Sequence, residues 1–208
     1  MTDHETPEKP PLEWLEGLDV VTLDSEMVRA LAHPMRNRIL ASLRLTGPAT
    51  SAMLAERLNT NTGQTSYHLR ALDEVGLVVE DPDQGTGRER WWKSAHKGTS
   101  WSETAFTDDP EDHHAADWLT RYHNRTNFNR VDAYLDEREE WSEEWQEAAY
   151  IGDNWLATTP ERLRELNEKI DELIETYREE GKSLDPETTE LVTFIRYAFP
   201  STFYQWRP

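Results

Sequence analysis

Two short helices joined by a tight turn are predicted between residues 50 and 75, and this segment constrains the fold more than any other. Thr50 or Ser51 is suited to cap the first helix, and Asn61 the second. Asn59-Thr60-Asn61 supplies the turn. A helix pair joined by about four residues is typical of a helix-turn-helix. The residues predicted to face inward are Met53, Leu54, Leu58, Thr65, Leu69, Leu72 and Val75.

The second of these helices has an outer face of mostly short polar residues. In a helix-turn-helix the second helix lies in the major groove of DNA, and its N-terminal residues reach base edges. Short side chains allow a deep approach, and amides at the helix start can meet a phosphate. Arg70 can pair with a phosphate or with guanine. The predicted DNA-contacting residues of this segment are Asn61, Thr62, Gly63, Gln64, Ser66, Tyr67 and Arg70.

A β-hairpin is predicted after the helix pair. Gly76 is suited to end the second helix, residues 77–80 and 88–93 have strand composition, and Asp, Pro and Gly fill the turn between them. Trp91 and Trp92 are expected on opposite faces, one of them in the core. Arg88 and Arg90 at the base of the hairpin are expected to contact the DNA backbone or minor groove.

Two further helices are predicted before this segment. Residues 1–18 are interpreted as a leader, and residues 20–23 as a short strand. Asp24 or Ser25 is suited to cap a helix, and Pro34 to start the next one, which ends at Gly47-Pro48. Arg36, Arg38 and Arg44 are predicted to face outward on that second helix. Arg36 is a candidate phosphate contact, although a solvated helix face explains it equally well.

The second half of the chain is predicted to combine long helices with two strands. A helix is expected from Asp109-Pro110 to about Ala149, with a bend near Thr126-Asn127, and another from Thr159-Pro160 to Gly181. Residues 150–157 and 191–199 are predicted strands. The expected fold class is mainly α with small β elements. It comprises a leader (1–18), a winged helix-turn-helix domain (19–98) and a C-terminal α+β dimerisation or sensor domain (99–208).

The net charge of −19 disfavours a nucleic-acid partner at first sight. Its distribution matters more. Residues 25–97 contain 10 Lys and Arg against 8 Asp and Glu, whereas residues 101–208 contain 11 against 26. Because charges separated by more than about 8 Å are largely screened at physiological salt, a distant acidic domain leaves contact-range arginines effective. DNA binding is therefore allowed, and we expect it to depend on a dimer.

Composition and motif content also disfavour several other classes of protein. The chain has no cysteine, no apolar run of the roughly 18 residues that cross a bilayer, and no apolar signal segment near its start. We expect a cytoplasmic protein. No phosphate-binding loop or nucleophile motif is present, so neither an enzyme nor a cofactor is predicted. The acidic and histidine residues 111–123 are explained as a helix start, and no metal site is predicted.

The tryptophans of the second half have two interpretations. The simplest interpretation is an aromatic stripe that packs in the core or at a dimer interface. The alternative is an aromatic pocket that binds an effector. The residues concerned are Trp118, Trp141, Trp145 and Trp155.

Residues 25–97 resemble the winged helix-turn-helix domain of the ArsR family of bacterial repressors. The matching stretches are residues 30–40 (ALAHPMRNRIL), 66–72 (SYHLRAL), 75–78 (VGLV) and 87–92 (GRERWW). The resemblance implies a homodimer that binds an inverted-repeat operator and responds to an effector. Residues 51–58 lack the cysteine box of the metal-sensing members, so metal sensing is not expected. Residues 156–166 and 192–200 resemble, more loosely, a C-terminal extension found in larger members.

The sequence therefore predicts a sequence-specific transcriptional regulator, a repressor that reads double-stranded DNA as a homodimer. A small-molecule effector would act on the second domain. The alternative is a winged-helix module that binds a basic protein partner and does not read DNA. An enzyme built on the C-terminal domain is a third hypothesis, which would need a polar pocket with shifted titratable groups.

Overall fold

The computed structural model describes residues 19–82, 84, 89–185 and 187–201. The chain is mainly helical with two small sheets, as the sequence predicts. A 3-10 turn precedes the longest helix and another follows it, at Glu103–Phe106 and Arg138–Glu140. The elements are β1 (Val20–Thr22), α1 (Ser25–Leu31), α2 (Pro34–Thr46), β2 (Ala49–Thr50), α3 (Ser51–Arg57), α4 (Thr62–Asp73), β3 (Val78–Glu80), β4 (Trp91–Ser94), β5 (Gly98–Ser100), α5 (Pro110–Glu137), α6 (Glu143–Ala148) and α7 (Pro160–Gly181).

The predicted capping residues begin their helices. Asp24, Thr50 and Asn61 each accept a backbone N–H three residues ahead, over 2.9, 3.3 and 2.9 Å. The turn between α3 and α4 contains Asn59 at φ 51°, a left-handed conformation that asparagine tolerates better than most residues. Gly76 follows α4 at φ 71° and ends it as expected. The local signals in residues 24–76 therefore predict these boundaries correctly.

The core of the first unit lies between helices α1 to α4 and the strands behind them. Leu54, Leu69 and Leu72 are fully buried, which confirms the inward faces expected for α3 and α4. Trp92 is buried in this core, whereas Trp91 is half-buried. The start of α5 joins the same core through Ala116 and Leu119. The inner sides of helices α3 and α4 are therefore packed against several elements.

Two small sheets complete the first unit. Strands β3 and β4 form the predicted antiparallel hairpin, with Val78 opposite Ser94 and Glu80 opposite Trp92. Strand β2 pairs with the other edge of β4, and β1 pairs in parallel with β5. Neither β2 nor β5 was predicted, because two or three residues give no measurable alternation. The tip residues 83 and 85–88 of the hairpin lie outside the described residues.

Arg44 corrects one expectation for α2. Instead of facing outward, it is half-buried and donates from Nε to the His96 carbonyl over 2.9 Å. Burial lowers the pKa of Arg44 to about 10. Helical spacing places this residue on the outer face, but the return chain after β4 covers that position.

The second half departs from the sequence prediction at three places. The helix expected to reach Ala149 ends at Glu137, because Ser142 caps a separate helix α6 by accepting the Trp145 N–H. Helix α5 is continuous through Thr126-Asn127, and the bend expected there stays a prediction. No strand is assigned to the described residues 150–157 or 191–199, although alternating apolar residues predicted strands there. The limits of α7 at Pro160 and Gly181 agree with prediction.

The chain divides into two compact units, one ending at Phe128 and one beginning at Asn129. Helix α5 crosses this division. The functional boundary expected near residue 98 therefore stays a prediction. No helix among the described residues is both long enough and apolar enough to span a membrane.

The buried face of α2 allows a matched test of this packing. Leu43 is 3% exposed and Leu45 is 41% exposed on the same helix. We predict that Leu43→Ala lowers the free energy of unfolding by about 2–5 kcal/mol, because it leaves a cavity in the core. The same change at Leu45 is expected to cost less than about 1 kcal/mol. Urea denaturation of both variants measures the difference, and equal losses would contradict the described packing.

Candidate DNA-binding interface

Helices α3 and α4 are linked by a buried hydroxyl group at the start of α4. Thr65 is fully buried, and its Oγ1 donates to the Ser51 carbonyl at the start of α3 over 2.8 Å. This hydrogen bond joins the first turns of the two helices directly. The remaining inner face, Leu69 and Leu72, packs in the core. The orientation of α4 is therefore fixed by its inner side, which leaves the outer side available for a ligand.

The outer side of α4 carries the residues predicted to contact DNA. Tyr67 is 62% exposed, and Thr62, Gly63, Gln64 and Arg70 are also exposed. Ser66 is half-buried. The first turn of α4 contains no acidic residue. Its exposed backbone amides are therefore a region of positive potential, which suits a phosphate.

Asn61 and Gly63 have more specific places than the sequence indicated. The Asn61 side-chain oxygen is engaged as the helix cap, which leaves only its amide group for DNA. A Cβ at Gly63 would lie 3.2 Å from that oxygen. A side chain at residue 63 would therefore crowd the cap as well as cover the helix start. Gln64 accepts a hydrogen bond from the Thr60 hydroxyl at the turn.

The predicted arginines outside α4 are placed differently from one another. Arg90 is 70% exposed at the hairpin base, and its guanidinium lies 3.0 Å from the Glu80 carboxylate. Arg36 is half-buried, and it donates to the Ala30 carbonyl over 2.8 Å, which ties α2 to the end of α1. Arg36 therefore does not join the exposed surface of α4. Arg88 lies outside the described residues.

The charge of residues 27–72 is more favourable to DNA binding than the net charge of the whole chain suggests. Residues 27–72 contain six arginines and a single acidic residue, Glu56, in a chain with 41 acidic residues. Several of these arginines are used internally, for example Arg38 on the Leu58 carbonyl and Arg57 on the Thr46 hydroxyl. Arg70 has no ion pair with another described residue. It is the cation of α4 most available to a partner.

Two histidines, His33 and His68, meet behind α4, and the sequence gives no indication of this contact. Their ring centroids are 4.5 Å apart, and Tyr67 contacts the second ring edge-on at 5.2 Å. The His33 Nδ1 accepts the Met35 N–H over 3.1 Å and so caps α2. The His68 Nδ1 is buried without a hydrogen-bond partner among the described residues. Residues 35 apart in sequence give no signal of such a pair.

Both histidines are held in the neutral form. Burial lowers the pKa of His33, and the charge of Arg36 lowers it further. Burial also lowers the pKa of His68, with added contributions from His33 and Arg36. Protonation of His33 at Nδ1 would also remove the acceptor that caps α2. The surroundings of His33 and His68 behind helix α4 therefore favour neutral imidazoles.

Tryptophans of the second half take part in local aromatic contacts within each unit, and the effector pocket stays a prediction. Trp118 stacks on Tyr122 at 5.1 Å, and Trp141 contacts Trp145 edge-on at 6.5 Å. An open cavity of about 490 Å³ in the second unit is lined by residues between Tyr134 and Ile151, with no tryptophan among them. In the described part of the chain, no group of three His, Asp or Glu side chains is arranged to hold a metal ion.

Residues 31–81, about a quarter of the chain, match the family described as "Helix-turn-helix domain". This chain is a DNA-binding transcriptional regulator. The match covers α2 to β3, which includes the exposed face of α4. A search of curated proteins finds no match for this regulator.

Solved structures similar to the regulator include two bacterial proteins. An apo mutant of Lactococcus lactis ZitR has a TM-score of 0.32 at 17% identity, covering 70% of this chain and 83% of that one. The adhesin competence repressor AdcR from Streptococcus pyogenes has a TM-score of 0.31 at 17% identity, covering 71% and 81%. Wild-type ZitR in complex with DNA has a TM-score of 0.27 at 18% identity, covering 76% and 77%. Likeness of this degree does not single out the ArsR family.

The neutral histidine pair predicts a pH dependence of stability. Both folded-state pKa values lie below the ordinary value of about 6.5, so the unfolded chain binds more protons as the pH falls through 6.5. The free energy of unfolding is therefore expected to fall on acidification from pH 7.5 to 5.5. His68→Gln should make this decrease shallower, whereas His113→Gln, on the exposed start of α5, should not. An unchanged slope in His68→Gln would contradict the assignment.

Proposed function

We propose that this regulator is a cytoplasmic repressor of the ArsR type that binds an inverted-repeat operator as a homodimer. The observation that carries the proposal is the exposed outer face of α4, whose first turn has no acidic residue and whose inner side is held by the buried Thr65. Helices of this kind enter the major groove with their N-terminal residues toward the bases. Arg70 and Tyr67 are then placed to contact bases or phosphate, and the amides of Thr62 and Gly63 to meet a phosphate.

The requirement for a dimer follows from charge. Helix α4 of one copy presents a single exposed arginine, Arg70, and the chain as a whole carries a net charge of −19. Non-specific affinity from phosphate neutralisation is therefore weak. Two α4 helices in successive major grooves, about 34 Å apart, would add their contacts on one operator. An effector bound in the second unit would alter this spacing and so the operator affinity.

Mobility shift with DNA from the gene's upstream region tests the role of α4. We predict that Arg70→Ala and Tyr67→Ala each weaken operator binding by about 1–3 kcal/mol, because each removes a groove contact. Arg164→Ala, an exposed arginine of α7, is the matched control and should leave binding unchanged. Equal binding by all three variants, with unchanged circular dichroism, would favour a module that binds a basic protein.

The spacing of the two half-sites supplies a second test. A duplex with both half-sites 10–10.5 base pairs apart is expected to bind far more tightly than one half-site, because two linked helices bind together. Inserting five base pairs turns one half-site to the opposite side of the duplex and should abolish the gain. Tight binding that is independent of this insertion would contradict the dimeric reading.

A further inference from the structure

Helix α7 carries an apolar row with the spacing of a two-helix seam. Successive residues of this row are 3, 4, 3 and 4 positions apart. We call the row the α7 seam, and it consists of Leu163, Leu166, Ile170, Leu173 and Tyr177. An average period of 3.5 residues is the repeat that keeps one face of a helix against another helix. The spacing therefore specifies a helix as the partner of the seam.

Most of the α7 seam is exposed to solvent within the second unit. Leu166, Leu173 and Tyr177 are 36%, 57% and 68% exposed, whereas Leu163 and Ile170 are half-buried. Among the described residues of this unit, no side chain is buried. Contiguous apolar surface of this kind on a protein is typical of an interface. Much of the α7 seam is therefore without a packing partner within the second unit.

The chain segment after α7 is tied to the helix beside the seam. Arg196 ties this segment to α7 through the Asn167 carbonyl at 3.1 Å and the Asp171 carboxylate at 2.7 Å. At roughly 100° per residue, residues 167 and 171 lie about 80–120° around the helix from the centre of the seam. The contacts of Arg196 therefore lie beside the seam and not on it.

The charges on α7 favour a second α7 in the opposite direction. Residues 160–170 contain three basic and three acidic residues, whereas residues 171–181 contain one basic and five acidic residues. An antiparallel pair places the acidic half of each helix beside the half that holds most of the cations. It also opposes the two helix dipoles. A parallel pair would place the two acidic halves together, at a cost in repulsion.

We propose that the α7 seam packs antiparallel against the α7 seam of a second copy of this chain. The inference rests on the homodimer in the proposed function and names the surface that forms it. A two-fold axis would pass near Ile170, the middle residue of the seam, so that this residue meets its own copy.

Single-cysteine cross-linking of the full chain tests this geometry, since the chain has no cysteine of its own. Ile170→Cys is expected to form a disulfide dimer under mild oxidation, at least tenfold faster than Glu168→Cys on the opposite face of α7. Leu163→Cys should not link to itself, because the antiparallel arrangement separates the two copies of an end residue. Equal rates for residues 170 and 168, or fast self-linking at residue 163, would overturn the proposal.

A second measurement does not depend on cysteine. Sedimentation of Leu166→Asn with Leu173→Asn is expected to show at least a tenfold weaker dimer at unchanged helix content. Glu168→Asn with Glu175→Asn, on the far face, is the matched control and should remain dimeric. A seam variant that stays dimeric and binds the operator would overturn this inference and leave the proposed function standing. A wild-type dimer that depends on the seam but binds no DNA would do the reverse.

Discussion

The hydrogen bond from the buried Thr65 hydroxyl to the Ser51 carbonyl is the interaction on which the reading surface depends. It joins the first turns of α3 and α4, so the direction of the recognition helix follows from its inner side. The turn at Asn59 and the cap at Asn61 then set where that helix begins. Because the Thr65 hydrogen bond lies on the buried side of α4, the outer residues of that helix are left to be chosen for a ligand.

The histidine pair shows how the same support limits the chemistry behind the helix. His33 caps α2 and contacts His68 of α4, and Arg36 adds a positive charge beside both. This neighbour favours neutral imidazoles over imidazolium ions. Arg36, expected at the surface, is thus better explained as a link between α1 and α2 and as the charge that keeps the pair neutral.

Local signals predicted the first unit well because its boundaries are set by neighbouring residues. Caps such as Asp24 and Asn61 act over three residues, and the burial of α4 follows helical period. The pairing of β1 with β5 and the histidine contact join distant residues, which leave no local pattern. In the second half, alternation at residues 150–157 and 191–199 indicated strands, but no strand is assigned there. Alternation reports an apolar face, and a strand also needs a hydrogen-bonding neighbour.

The central claim is that the outer face of α4 reads DNA sequence as one half of a two-fold pair. Selection of bound duplexes from a random-sequence library at physiological salt tests it most directly. We expect enrichment of an inverted repeat whose half-sites are about 10 base pairs apart, and loss of that motif in Arg70→Ala. Enrichment of no motif, or recovery of the same motif with Arg70→Ala, would contradict it.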